Sequence, residues 1–326
     1  MIRELGTQYL KIVSILSLGT IGHMCIEKIV MATGRTVSTM IAQLTGAIVN
    51  IVLDPIFIYG LPGIPAMGIR GAAIATVAGQ FVSFFIIAYM LIRKCTEVKT
   101  GIRYMKPDAD VLKKTFAIAG PAIIMQIMNP VMNYSMNLIL GTISVSAVTA
   151  FGVYGRICYA VTMPVLGLNN ASIPSAAFNR GAGEYGRVKE VIKYGQIYVA
   201  AVMAVFIAIL QIFPSQIVGI FTITDESARL CVTALHIITC GYFFMGANYI
   251  LQGVCQALGK GLYSLILTLI RTIIVLLPAA YLLSKLPGAS DIVWWAVPAA
   301  ELAGIICAVI FTSRAYRAML NNKSAF

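Results

Sequence analysis

The sequence predicts an all-α, polytopic membrane protein of about nine transmembrane helices. Three observations carry that prediction. The 326 residues are 59% hydrophobic and 11% charged, with a mean hydropathy of +0.88, whereas globular domains average about 25% charged residues. Apolar stretches of about 20 residues follow one another, each sized for a helical crossing. No alternating ten-residue strand pattern occurs, which argues against a β-barrel.

The spans fall at roughly 9–32, 38–60, 70–92, 115–140, 147–172, 194–214, 229–256, 262–284 and 292–313. Lysine and arginine set their orientation. The connection from Arg93 to Lys114 holds Arg93, Lys94, Lys99, Arg103, Lys106, Lys113 and Lys114. The one from Asn179 to Lys193 holds Arg180, Arg187, Lys189 and Lys193. Arg35 and Lys260 stand in tight turns, and Arg314, Arg317 and Lys323 in the tail. All share one side if the spans alternate, and that side is cytoplasmic. Arg3, Lys11, Arg70, Arg229 and Lys285 are the few cations opposite. The +12 net charge is therefore a topology signal, and no nucleic-acid partner is expected. A multi-pass protein of the plasma membrane is. This orientation puts MIRELGTQ outside the cell with no signal peptide before it, so an odd number of further upstream spans is expected.

An internal repeat points the same way. Residues 9–63 align without gaps onto 234–288, at a constant offset of 225. Ala32-Thr-Gly-Arg35 meets Ala257-Leu-Gly-Lys260, and Leu61-Pro-Gly63 meets Leu286-Pro-Gly288. The first span matches the seventh, and an even shift keeps the copies parallel, a transporter architecture with the substrate site between lobes. The expected organisation is a partial N-lobe of three helices (1–92), a basic cytoplasmic linker (93–114), and a C-lobe of six helices with its tail (115–326).

The second span carries Asn50 and Asp54, four residues apart on one helical face, and Pro55 follows at once. An ionisable group inside a span is costly and marks a functional site facing a protein interior or wet cavity. The plainer alternative is an acid that caps a kinked helix or anchors it near the headgroups. The first span holds His23 and Glu27 on one face, with Lys28 near its cytoplasmic end. Glu27 either serves a polar cavity or pairs with Lys28 or Arg35; the repeat puts neutral Gln252 at its place. The fourth span bears Asn129, Asn133 and Asn137 at successive turns, beside Met125, Met128, Met132 and Met136. Asparagines can glue helices and methionines fill gaps. Side by side, they also describe a cavity wall for varied amphipathic guests. Arg156, in the run Tyr154, Arg156 and Tyr159, is a further cavity candidate. Arg271 and Glu301, on the last two spans, are expected to pair.

Seven single cysteines and two histidines offer no metal-type spacing, so no metal site is expected beyond possible sodium at Asp54. Gly181-Ala-Gly183-Glu-Tyr-Gly186 fits a dinucleotide fingerprint, but a membrane span precedes it rather than a strand. No P-loop, HExxH or GxSxG motif occurs, so neither an enzyme nor a cofactor is expected.

The stretch Ala47 to Thr76, AIVNIVLDPIFIYGLPGIPAMGIRGAAIAT, resembles the fifth and sixth helices of the multidrug and toxic compound extrusion (MATE) family through its N…LDP…G…GAAIAT pattern. Gly152 to Lys189 resembles that family's eighth helix and following loop, with Arg156, Met163-Pro164, Gly167-Leu168, Pro174 and Asn179-Arg-Gly-Ala182 in the family's order. The resemblance covers essentially the whole chain, from the family's fourth helix to its twelfth. It implies three missing N-lobe helices, and with them a first-helix acid. It also implies that Asn50, Asp54 and Thr76 bind the coupling proton or sodium ion; Glu27, as an acid within a span, is a second candidate from the sequence itself. Asn129 stands where some subfamilies carry a C-lobe acid, which leaves coupling to the N-lobe. The implied function is secondary active efflux of cationic or amphipathic drug-like compounds, by proton- or sodium-coupled antiport with alternating access, from a bilayer-embedded monomer. Two alternatives remain: a flippase for lipid-linked sugars, and a truncated, non-transporting membrane protein.

Overall fold

The computed structural model describes residues 2–61, 63, 65–98, 101 and 108–321, with backbone alone at 2, 3, 114, 117, 118 and 321. Lys99, Arg103, Lys106, Lys323 and Pro62 lie outside the described residues, as do the side chains of Arg3 and Lys114. No strand occurs among the described residues. The chain divides into two compact units, Met1–Pro107 and Asp108–Phe326.

The first unit holds α1 (Ile2–Ile15), α2 (Leu18–Ala32), α3 (Thr36–Tyr59) and α4 (Ile69–Lys94). The second holds α5 (Ala109–Gly141), α6 (Val145–Gly181), α7 (Tyr185–Ile212), α8 (Pro214–Gly219), α9 (Asp225–Ile238), α10 (Tyr242–Ala257), α11 (Gly261–Leu269), α12 (Leu276–Leu283), α13 (Ala289–Ile292) and α14 (Ala296–Asn321). A 3₁₀ turn, Thr239–Gly241, joins α9 to α10, and a π segment, Ile270–Val275, joins α11 to α12.

Among the described residues, seven helices are long and apolar enough to cross a membrane, or eight counting α1 and α2 as one broken span. The helix α5 stands outside that set. It is 33 residues long, holds Pro121 and Pro130, and carries no charged residue from 115 to 132. The expectation of one continuous first span is corrected: α1 and α2 meet at 49°. Packing supplies the reason. Gly19 and Gly22 let α2 seat on α4, where added Cβ atoms would come within 3.1 Å of the Phe81 ring and 2.6 Å of the Phe84 ring.

The repeat is visible in the backbone. Gly34 and Gly259, which it aligns, both adopt positive φ (80° and 70°), as do Gly63 and Gly288 (95° and 75°). Side chains with a Cβ rarely reach that region, so both copies keep glycine at both turns. The same offset continues beyond Gly63, matching Ala75-Thr-Val-Ala-Gly79 on α4 to Ala300-Glu-Leu-Ala-Gly304 on α14.

The second unit has the larger core, built around Met136, Leu140, Tyr154, Met203, Leu235, Tyr242, Ile250 and Trp294. The first has a small one of Val30, Ala42, Ile87, Leu91 and Cys95. Large apolar side chains such as Leu10, Ile15, Ile51, Phe85 and Val145 lie on the outside, as lipid-facing surface requires.

Candidate functional site

The closest helix pair of the first unit carries the residues singled out in sequence. Gly46 on α3 and Gly79 on α4 meet backbone to backbone, and a Cβ on either would fall 2.6 Å from the other's carbonyl oxygen. Small residues are what allow helices in lipid to approach so closely. Ser83 reinforces the crossing by donating to the Ala42 carbonyl at 3.0 Å. At the far end, the backbone amides of Met67 and Gly68 donate to the Phe57 and Ile58 carbonyls at 2.9 and 3.2 Å. The α3–α4 connection thereby caps the end of α3 with its own donors.

Asn50 stands one turn beyond Gly46, and its Cβ is 3.0 Å from where a Cβ on Gly79 would lie. Asp54 follows one turn later, with Pro55 inside the helix beside it. Proline lacks the amide that would bond the Ile51 carbonyl, so backbone polarity is freed next to the acid. Both side chains are half-buried. Asn50 Nδ2 and Asp54 Oδ1 are buried without a hydrogen-bond partner among the described residues. Such groups cost roughly 1–3 kcal/mol each unless something satisfies them. On α4, Thr76 donates to the Ala72 carbonyl at 2.9 Å, which leaves its oxygen lone pairs to accept. One turn on, Gln80 Oε1 is likewise buried and unpartnered. Sequence reasoning missed Gln80; the signal was its i, i+4 spacing from Thr76 within an apolar span. An amide, a carboxylate and further oxygens on two packed helices suit a proton, a small hard cation or ordered water.

Glu27 is buried at 8% exposure, with His23 Nε2 at 3.6 Å and Lys28 Nζ at 3.5 Å. Arg35, the other partner considered for it, instead pairs with Glu97 through two bonds of 2.8 and 2.9 Å. That guanidinium holds the Glu97 carboxyl down at about 2.

In the second unit, the two stripes of α5 part. Met136 is buried in the core and Met132 packs against it, while Met128 is half-buried. Asn129, Asn133 and Asn137 are exposed, and Asn133 bonds only back to its own helix, at the Asn129 carbonyl. Tyr154 and Arg156 also separate: Tyr154 is buried beside Phe151, whereas Arg156 is exposed. Two residues along a helix turn by about 200°, so they leave on different faces.

The deepest polar cluster lies elsewhere in this unit. Arg271 Nη2 is 2.7 Å from Glu301 Oε1, so the expected pair forms. Asn248 Nδ2 donates to Glu301 Oε2 at 2.7 Å and to the Glu301 carbonyl at 3.1 Å. The Tyr249 ring faces the guanidinium at 5.1 Å.

Comparison with known proteins gives a consistent picture. The family model described as MatE matches residues 121–282. The multidrug export protein MepA of Staphylococcus aureus (strain MSSA476) is 27% identical over 311 residues, covering 94% of this chain. MepA of Staphylococcus saprophyticus is 26% identical over 302 residues, or 92% of this chain. This chain spans 66% and 64% of the lengths of these two relatives. A solved structure described as the outward-facing conformation of a multidrug resistance MATE family transporter superposes with a TM-score of 0.88 at 22% identity, covering 96% of this chain and 70% of that one.

Proposed function

Because this chain belongs to the multidrug and toxic compound extrusion (MATE) family, we propose that it works as a secondary active exporter of cationic or amphipathic organic compounds. Entry of a proton or sodium ion at Asp54, with Asn50 one turn away and Thr76 and Gln80 on the packed helix α4, drives the export. The observation that carries this reading is the pair of buried, unpartnered atoms, Asp54 Oδ1 and Asn50 Nδ2, on the proline-interrupted α3. A ligand shifts a conformational equilibrium only by its differential affinity for the two states. An acid satisfied when loaded and unsatisfied when empty supplies such a difference.

The asparagine stripe of α5 supports the substrate assignment. Asn129, Asn133 and Asn137 offer exposed donors and acceptors, and Met128 and Met132 offer deformable apolar surface. The lipid-linked sugar alternative calls for several cations able to hold phosphate. Arg271 is already engaged by Glu301, which leaves Arg156 as the exposed arginine of that pair.

The test is efflux of a cationic dye from vesicles under an imposed proton or sodium gradient, compared between the parent and Asp54→Asn. The substitution keeps size and hydrogen-bonding reach but fixes the charge at zero. Gradient-driven efflux should vanish while the protein still inserts, because removing an ionisable group lowers the cost of insertion. Unchanged efflux would remove Asp54 from the coupling role and turn attention to Glu27.

A further inference from the structure

One helix arrangement is built twice, with different residues at its centre. The 225-residue offset carries His23 to Asn248, Gly46 to Arg271, Thr76 to Glu301 and Gly79 to Gly304. Each unit by itself bears out the equivalence. In the first, position 46 faces position 79, and both are glycine. In the second, Arg271 lies on Gly304, where a Cβ would sit 2.5 Å from its Cγ and 2.8 Å from its Cδ. An arginine thus replaces a glycine at the close crossing, and Gly304 makes room for its stem. Arg271 lies within the π segment Ile270–Val275, a form that occurs mostly as single-turn bulges, often at functional sites.

The carboxylate it meets, Glu301, stands where the first unit has Thr76. Glu301 is 8% exposed, and the Arg271 and Glu301 side chains are 11% and 10% exposed. Asn248, 2% exposed, holds the second carboxylate oxygen, and its own Oδ1 is buried and unpartnered. The other titratable side chains whose fields reach Glu301 are Tyr154 and Cys158 of α6 and Tyr249 of α10, with Tyr242 beside Cys158. Arg271 is the one cation this cluster contains among the described residues.

We propose that Arg271 is a built-in cation of the second unit: the offset puts Val275 and Ala279 where the first unit has Asn50 and Asp54, and Glu301 where it has Thr76, and the guanidinium held on Glu301 leaves that carboxylate no exchangeable proton or sodium ion to take up. This rests on the reading of Asn50, Asp54 and Thr76 as the coupling site of the first unit. A carboxylate and an amide oxygen are present in both units; only in the second does a tethered guanidinium engage the carboxylate. Arg271 thereby confines coupling to one unit. Without it, Glu301 Oε1 and Asn248 Oδ1 become a second cation site.

The experiment follows carboxyl protonation by infrared difference spectroscopy, and pH- and sodium-dependent tryptophan fluorescence, in the purified chain in lipid nanodiscs. Trp294 and Trp295, the only tryptophans, lead into the helix that carries Glu301. In the parent, no component of either titration should disappear on Glu301→Gln. Arg271→Met should gain a component that Arg271→Met/Glu301→Gln lacks, and Arg271→Lys, which keeps a tethered charge, should gain none. The gain should persist in Asp54→Asn, so that failure of the Asp54 assignment leaves this result readable. The proposal is overturned if Arg271→Met and its Glu301→Gln double variant titrate alike. It is equally overturned if the parent already shows a Glu301-dependent component, an outcome that needs no Arg271 variant to fold.

Discussion

Asn50 rests against Gly79, its Cβ 3.0 Å from the point where a side chain at that glycine would begin. The polar pair of α3 is therefore set by a backbone crossing, not by a polar partner.

Gly46→Val should destabilise the first unit markedly. The new side chain would collide with Ser83 Oγ and with the Gly79 carbonyl, 2.6 Å from its Cβ, and backbone cannot move aside as a flexible side chain can. Overpacking of this kind costs about 1–3 kcal/mol. Gly152→Ala, on α6 with nothing within 4 Å, is the control and should be neutral or slightly stabilising. Thermal unfolding of both variants in detergent checks the contrast.

The two stripes of α5 should respond to truncation in opposite ways. Met136, 1% exposed in the core, should lose about 2–5 kcal/mol on Met136→Ala. Asn133→Ala removes only a bond to its own helix, so stability should hold while relative resistance to different compounds changes. Equal loss of membrane-inserted protein in the two variants would assign the asparagines to packing.

Breaking the Arg271–Glu301 pair from either side should be costly. Removing one partner leaves a buried charge uncompensated, worth about 3–5 kcal/mol. Arg271→Met and Glu301→Gln together should therefore destabilise by less than the sum of the two single changes. Additive denaturation midpoints across that cycle would mean the two side chains do not interact energetically.

The Arg35–Glu97 bridge should show itself in acid. Its guanidinium lowers the Glu97 carboxyl from 4.5 to about 2. A depressed carboxylate contributes stability above its unfolded value and loses it as pH falls toward the folded one. Any stability advantage of the parent over Glu97→Gln should thus be full above 4.5 and fade toward 2. Both groups are partly solvated, at 32% and 58% exposure, so high salt should also shrink the advantage. A difference in melting temperature that is flat across this window would contradict the assignment.

The sequence by itself determined the membrane class, the positions of the spans after the first, and the repeat. Those rest on hydropathy and turn chemistry, which are local: glycines 225 residues apart take positive φ because no other residue does so freely. It also placed Asn50 and Asp54 on one face, since helical periodicity fixes i, i+4 neighbours, and it paired Arg271 with Glu301. Only the tertiary structure decided which face of a helix turns inward. Within apolar spans, lipid and protein core favour the same side chains, so composition cannot tell the buried Met136 from the exposed Leu138. The break between α1 and α2 was illegible for the same reason, because it depends on Phe81 and Phe84 more than 50 residues downstream. So was the part of Gln80, and the place of Arg271 over Gly304. Each is fixed by what a second helix brings against it: small residues such as Gly46 and Gly79 mark a span that can be approached closely, but not which span approaches it.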